Sequence, residues 1–258
     1  VARVGQSFGE AVRFELVLRV SKVCVKRFGG IASAAITASF MASAAAAATI
    51  TTVDYQGPGG VFGDPNLSET VTITSPFLIG GGADDSQSVN AGPFRLSGDN
   101  GIGDFIAFCV DLTRYMGDGK IYEFGVNLFG AAIVNNLDKL FSSVYAEVDT
   151  TQEGAAFQVA IWEIVYDSAA GFDLGDGDFE ASNNIDVINL ADTYLAGLGG
   201  AATGVYDLTF LSTASGYANN NSQSLVTAIP APVPLPAAGL MLGAGLAGLG
   251  ALRRLRKS

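Results

Sequence analysis

Two apolar segments, one near each end of the chain, do most to limit what this sequence can fold into. The first runs from Phe28 to Met41 and continues in small residues from Ala42 to Ala48, behind the basic residues Lys22, Lys26 and Arg27. Basic, then apolar, then small is the order of a secretory signal peptide, with cleavage expected between Ala48 and Thr49 and residues 1–20 as an upstream extension. The second runs uncharged from Ala237 to Leu252 and stops at Arg253, Arg254, Arg256 and Lys257. As a helix it would span about 24 Å at ~1.5 Å per residue, and snorkelling arginines would cover the shortfall against a ~30 Å hydrocarbon core. The basic stop is expected on the cytoplasmic side, so the bulk of the protein lies across the membrane. Residues 1–48 are therefore export apparatus, 229–236 ("IPAPVPLP") an extended linker, and 237–258 a transmembrane helix with a basic tail. What remains to fold is 49–228, about 180 residues, enough for one sizeable core.

With the ends set aside, the charge changes character. The exported part keeps four basic residues (Arg95, Arg114, Lys120 and Lys139) against 23 acidic ones, a net charge of −19. Nucleic acid and anionic lipid both need positive fields, so this part binds neither. Histidine is absent from the whole chain, which removes Ser-His-Asp and Cys-His nucleophiles, histidine bases and most zinc sites. Cys24 leaves with the signal peptide, so Cys109 stays as a single thiol with no partner for an internal disulfide.

The exported part reads as β, then helical, then β again. Strands are expected over 49–55, 69–77, 88–96, 105–115 and 120–128, and later over 205–211 and 225–229. Leu137, Leu140, Phe141, Val144, Tyr145 and Val148 share one helical face. Thr150 with Glu153 makes a capping box that opens a second helix through about Tyr166. Asn183 or Asn184 caps a third, with Ile185, Ile188, Ala191, Leu195 and Leu198 inward and Gly199-Gly200 as its stop. The expected fold class is α+β: a β-sandwich or barrel base with a helical subdomain.

Two residues stand out for chemistry. Cys109 sits in "FIAFCVDL", on the less apolar of two strand faces, with Phe105, Ala107 and Asp111. Gln158 lies in a helical stripe with Ile161, Trp162 and Val165, where a carboxamide needs hydrogen-bond partners. The acidic turn Asp173, Asp176, Asp178 and Glu180 lacks the invariant glycine and distal glutamate of an EF-hand loop, and reads as solvated. No carboxylate pair stands out as a glycosidase couple. No cofactor or metal is implied, and the chain is expected not to be an enzyme.

Both the tail and the Cys/Gln pair resemble known families. Val233, Pro234, Leu235, Pro236 and Ala237, followed by the apolar run and basic stop, resemble the VPLPA variant of the PEP-CTERM sorting signals of Gram-negative bacteria. The resemblance implies an exosortase-type membrane protease as partner, an inner-membrane precursor, and delivery to the cell surface or extracellular matrix. "FCVDL" and, some fifty residues later, "FQVAIWEI" resemble the Cys-Gln thioester domains of bacterial surface proteins. The resemblance implies Cys109 as the thioester cysteine and Gln158 as acyl donor, with Ala160, Ile161 and Trp162 completing the helix motif. Phe157 stands where that family has threonine, and Val110 where tyrosine is common. Such a bond would capture an amine or hydroxyl on a partner without any histidine. The other reading of the residues stays open: Cys109 as a small buried hydrophobe and Gln158 as a satisfied core amide, in a non-reactive structural surface or matrix protein.

Overall fold

The computed structural model describes residues 49–57, 59–75, 78–79, 86–167 and 171–231. The expected signal peptide, the expected sorting motif and the C-terminal apolar run lie outside the described residues. Among the described residues, no helix is long and apolar enough to cross a membrane.

In chain order the elements are β1 (Ile50–Tyr55), β2 (Glu69–Thr74), β3 (Ser86–Ala91), β4 (Phe94–Gly98), β5 (Gly103–Cys109) and β6 (Lys120–Phe124). The helices α1 (Ala131–Val144) and α2 (Thr151–Asp167) follow, then β7 (Glu180–Ser182), α3 (Ile185–Gly197), β8 (Tyr206–Thr213) and β9 (Leu225–Pro230). Six strands close an antiparallel barrel in the order β1-β4-β5-β9-β8-β6, with β6 returning to β1 through the register Val53↔Lys120. Closure leaves no barrel strand with an unpaired edge. A second, three-stranded sheet has the order β3-β2-β7. The described residues thus form an α+β fold with a barrel base, a small second sheet and three helices.

The expected strand over 88–96 is two strands in two different sheets. The break falls at Gly92-Pro93: Pro93 has no N–H to give a ladder. A Cβ on Gly92 would lie 2.7 Å from the Leu67 carbonyl oxygen and 2.7 Å from Ser68 Cβ, so the 67–68 segment packs where a side chain would be. The strand expected to run to Tyr115 ends at Cys109. Beyond it, Asp111 Oδ1 accepts from the N–H and hydroxyl of Thr113 at 2.8 and 2.6 Å, turning the chain out of the ladder. β7 had no sequence signal, being three residues after an acidic turn.

Apart from α1 ending at Val144, which leaves Tyr145 in a 3₁₀ turn and Val148 extended, the helices follow their sequence cues with two corrections. The capping box forms: Glu153 N–H donates to Thr150 Oγ1 at 3.2 Å, and Glu153 Oε2 accepts from the Thr150 N–H at 3.0 Å. The Asp149 N–H on the same oxygen is the main reason the Glu153 carboxyl titrates below its ordinary range. Asn184 caps α3, accepting from the Val187 N–H at 3.4 Å. Ile185 does not face inward, being 67% exposed, and Val187 takes the core position in the first turn. The second correction is α2, which is no one-sided helix: every residue from Gly154 to Ile164 is buried. It runs between α1 and α3 and packs on β2, β3 and β5, so its whole circumference is covered. A helix at the centre of a domain has no polar face to betray its period.

The core joins barrel and helices through aromatic rings. Phe108 of β5 lies 4.8 Å from Phe157 of α2 and 5.8 Å from Phe141 of α1, between ring centroids. Phe141 and Phe157 close the triangle at 4.9 Å, edge to face. Phe157, where threonine was expected from the resemblance, is therefore a fully buried keystone of this cluster. Packing of Phe108 against Phe157 sets β5 against α2, and so sets Cys109 against Gln158.

Candidate functional site

Cys109 and Gln158, 49 positions apart, meet in the interior, 1% exposed each. The Cys109 N–H donates to Gln158 Oε1 at 2.9 Å, and Gln158 Nε2 donates to the Cys109 carbonyl at 2.8 Å. The reason lies in the register. Val110 N–H bonds Ser224 O on the β9 side, so Cys109, one residue earlier, presents its N–H and C=O to the β4 side. There the β4 register (Phe94↔Ala107) would place Gly92, where β4 has already ended. The Gln158 carboxamide stands in for the missing peptide group, one side chain completing a ladder that the backbone abandons.

The thiol points elsewhere at first sight: Cys109 Sγ donates to Asp111 O at 3.2 Å and accepts from the Asp111 N–H at 3.3 Å. Burial pushes this thiol up to about 12, against the smaller effects of the Asp111 backbone and the nearby Trp162 indole. It is therefore neutral, and closed to thiol chemistry with solvent. The 110–116 segment is fixed from several sides. Leu112 N–H donates to Tyr166 Oη at 2.8 Å, and Asp111 Oδ2 accepts from Arg114 at 3.3 Å and from the Ser224 N–H at 3.4 Å.

Beside the pair lies a cavity of about 250 Å³, lined by Cys109, Gln158 and Trp162 at depth and by Arg114, Tyr115 and Gln223 among others. Tyr115 is 64% exposed. Arg114, Tyr115 and Gln223 had no signal in the sequence. Asp111 did, as the aspartate two places after the cysteine, although nothing in the sequence gave its role as a turn-former.

The acidic turn is organised by backbone donors. Asp167 takes the N–H groups of Asp178 and Phe179 at 2.8 and 2.7 Å, and Asp173 Oδ1 takes that of Gly175 at 3.0 Å. Among the described residues, no group of three His, Cys, Asp or Glu is placed to hold a metal ion. Glu163 stands behind this turn without accessible surface, with Oε1 accepting from Asp173 N–H at 2.7 Å and Oε2 lacking a partner. Burial first, then the carboxylates of Asp167, Asp173 and Asp192, raise it from an ordinary 4.5 to about 7. A raised carboxyl pKa means the folded state holds this proton more tightly. Glu163's contribution to stability is therefore complete below pH 4.5 and lost as pH rises through about 7. Melting temperature should accordingly decline between pH 5 and 8 in the parent protein. The decline should be flattened in Glu163→Gln; an identical slope in that variant would place the titration elsewhere.

No family model matches the chain. A search of curated proteins finds no match either. The functional reading accordingly rests on the residues and their geometry.

Proposed function

We propose that this chain is an exported cell-surface protein, sorted by an exosortase-type system, whose barrel domain stores a Cys109–Gln158 thioester for covalent attachment to a partner. The observation that carries the proposal is the direct, buried pairing of Cys109 with the Gln158 carboxamide. Thiol attack on Gln158 Cδ would form the S–C bond and break the C–N bond. The thiol proton would leave with Nε2 as ammonia. The developing negative charge would fall on Oε1, which already accepts the Cys109 N–H, a backbone donor in a dry site. Burial would then keep water from the acyl bond.

The competing reading is a non-reactive structural surface or matrix protein, and one observation favours it. Both polar ends of Gln158 are already satisfied by the Cys109 backbone, so the carboxamide has a structural task without any chemistry. Intact mass of the protein recovered from the cell surface separates the two. A thioester leaves it about 17 Da lighter than its trimmed sequence, the mass of ammonia. Peptide mapping of the same sample should start at Thr49 and end near the Val233–Ala237 motif. A full-mass domain with thiol-reactive Cys109 after unfolding would leave the structural reading in place.

A further inference from the structure

The second sheet has one long outer edge that carries none of the features by which folded proteins usually close an edge. Its order is β3-β2-β7, so β3 and β7 are the outer strands. β7 is guarded by being three residues long and by Glu180. The six residues of β3, Ser86–Ala91, contain no charge and no proline. Its register against β2 runs unbroken from Glu69↔Ala91 to Thr74↔Ser86, so it has no bulge either.

Which groups face outward follows from β2. The Ser182 hydroxyl and Asn184 Nδ2 donate to the carbonyls of Thr72 and Thr70, so the even-numbered residues of β2 turn their main chain toward β7. Val71 and Ile73 turn theirs toward β3, where they meet Val89 and Gln87. The N–H and C=O groups of Ser86, Ser88 and Asn90 therefore point to the open side. All three residues are exposed, and among the described residues no main-chain group pairs with them there. All four residues from Gln87 to Asn90 also line the cavity beside Cys109. The side chains of Ser88 and Asn90 are turned onto the other face, 3.4 and 2.9 Å from the Thr72 and Thr70 hydroxyls. What these two bring to the cavity wall is thus the main chain of the open edge.

Three properties of an occupant follow. A row of alternating main-chain donors and acceptors is matched by an extended polypeptide. The cavity wall is mainly apolar, with Val61, Phe62, Leu112 and Met116 contributing to it. At about 250 Å³ it is smaller than the ~300–1,000 Å³ of sites for whole ligands, and suits a single apolar side chain. Arg114, on the same wall, is already paired with Asp111 at 3.3 Å, so the entering side chain needs no charge. The net charge of −19 between residues 49 and 228 repels a second copy of this chain and attracts a basic segment.

We propose that the open edge of β3 takes up an extended, basic segment of a partner protein as a fourth strand, one apolar side chain of which enters the cavity. Uptake needs no bond between Cys109 and Gln158.

A labelled, end-capped peptide of sequence Lys-Thr-Val-Thr-Phe-Thr-Val-Thr-Lys, titrated with the protein recovered from the cell surface, should give a saturable rise in fluorescence anisotropy. Two versions N-methylated at alternating residues, one on each edge of the peptide strand, should differ in affinity at least tenfold, because one edge meets β3 and the other meets water. Serine in place of the phenylalanine, or glutamates in place of the lysines, should each weaken binding at least tenfold. Ser88→Pro should do the same at an unchanged melting temperature, since the Ser88 N–H serves no ladder within the fold. Should that variant melt lower, the methylated pair still decides, because it leaves the protein untouched. Equal affinity of the two methylated versions overturns the proposal, as does indifference to the phenylalanine or to the sign of the flanking charge. A protein that refuses the peptide but sediments as a dimer, with the dimer lost in Ser88→Pro, would give the edge to a second copy and overturn it as well.

Discussion

Replacing Gln158 with alanine is expected to destabilise the domain by roughly 3–5 kcal/mol, the upper range for a single buried substitution. Two losses combine. The Cys109 N–H and C=O would be left buried and unpaired, at about 1–3 kcal/mol for each orphaned group. The cavity left by the truncated side chain adds to this, since α2 is covered on every side and cannot collapse freely. For a domain of this size, each kcal/mol moves the melting temperature by about 2–4 °C, so a fall on the order of 10 °C is expected. Cys109→Ala, which keeps the backbone pairing, should lose far less. Thermal melts of both variants beside the parent check this; equal losses would mean that the thiol, and not the main-chain pairing, holds the junction together.

Gly154→Ala should be nearly as damaging, against the rule for helices. Alanine in a helix interior is ordinarily about 1 kcal/mol better than glycine. Here a Cβ on Gly154 would stand 2.1 Å from the Leu67 carbonyl oxygen and 3.0 Å from Pro93 Cδ. Backbone, not a flexible side-chain tip, occupies the space, so either α2 or the 67–68 segment must move. Overpacking of this kind is worth about 1–3 kcal/mol and occasionally more, and we expect a loss near 3. Because Gly154 lies one turn before Gln158, the displaced helix should also loosen the Cys109 pairing. Urea unfolding with an unchanged slope and a lower midpoint would report the first effect. Faster labelling of Cys109 by a thiol reagent would report the second. A variant as stable as the parent would show that the close approach of α2 to Leu67 is dispensable.

How much of this could be read in the sequence depended on whether the controlling interaction was local. The Thr150–Glu153 box and the Asn184 cap were legible because a helix start is decided within four residues. The base of the fold was legible only as sandwich or barrel. Closure depends on β6 finding β1 some seventy residues earlier, and alternating residues do not encode that. The break at Gly92-Pro93 was hidden for a different reason. The dipeptide is visible, but the crowding by Leu67 and Ser68 that makes it a strand boundary is a tertiary fact. Cys109 and Gln158 stood out because one is the single thiol between 49 and 228 and the other a carboxamide in an otherwise apolar helical stripe. Gln223 and Arg114 were not, since an exposed-looking glutamine and arginine in polar loops resemble any others until the fold brings them to one wall.

The place of β9 in the barrel has a mechanical consequence. This last described strand lies between β5 and β8, paired on both sides, and the chain leaves it at Pro230. Its other end, Leu225, sits opposite Cys109. Suppose the chain is held beyond residue 231 while a partner pulls at Gln158. One point of tension is then the Pro230 end of β9 and the other lies on α2 against Cys109, beside the Leu225 end, so the load runs along β9. Ladders loaded that way resist in parallel, all bonds sharing the force, whereas a ladder pulled from one end opens bond by bond. An edge strand pulled the same way would have one ladder to shear, but a tether leaving from β9 has to shear two before the barrel lets go.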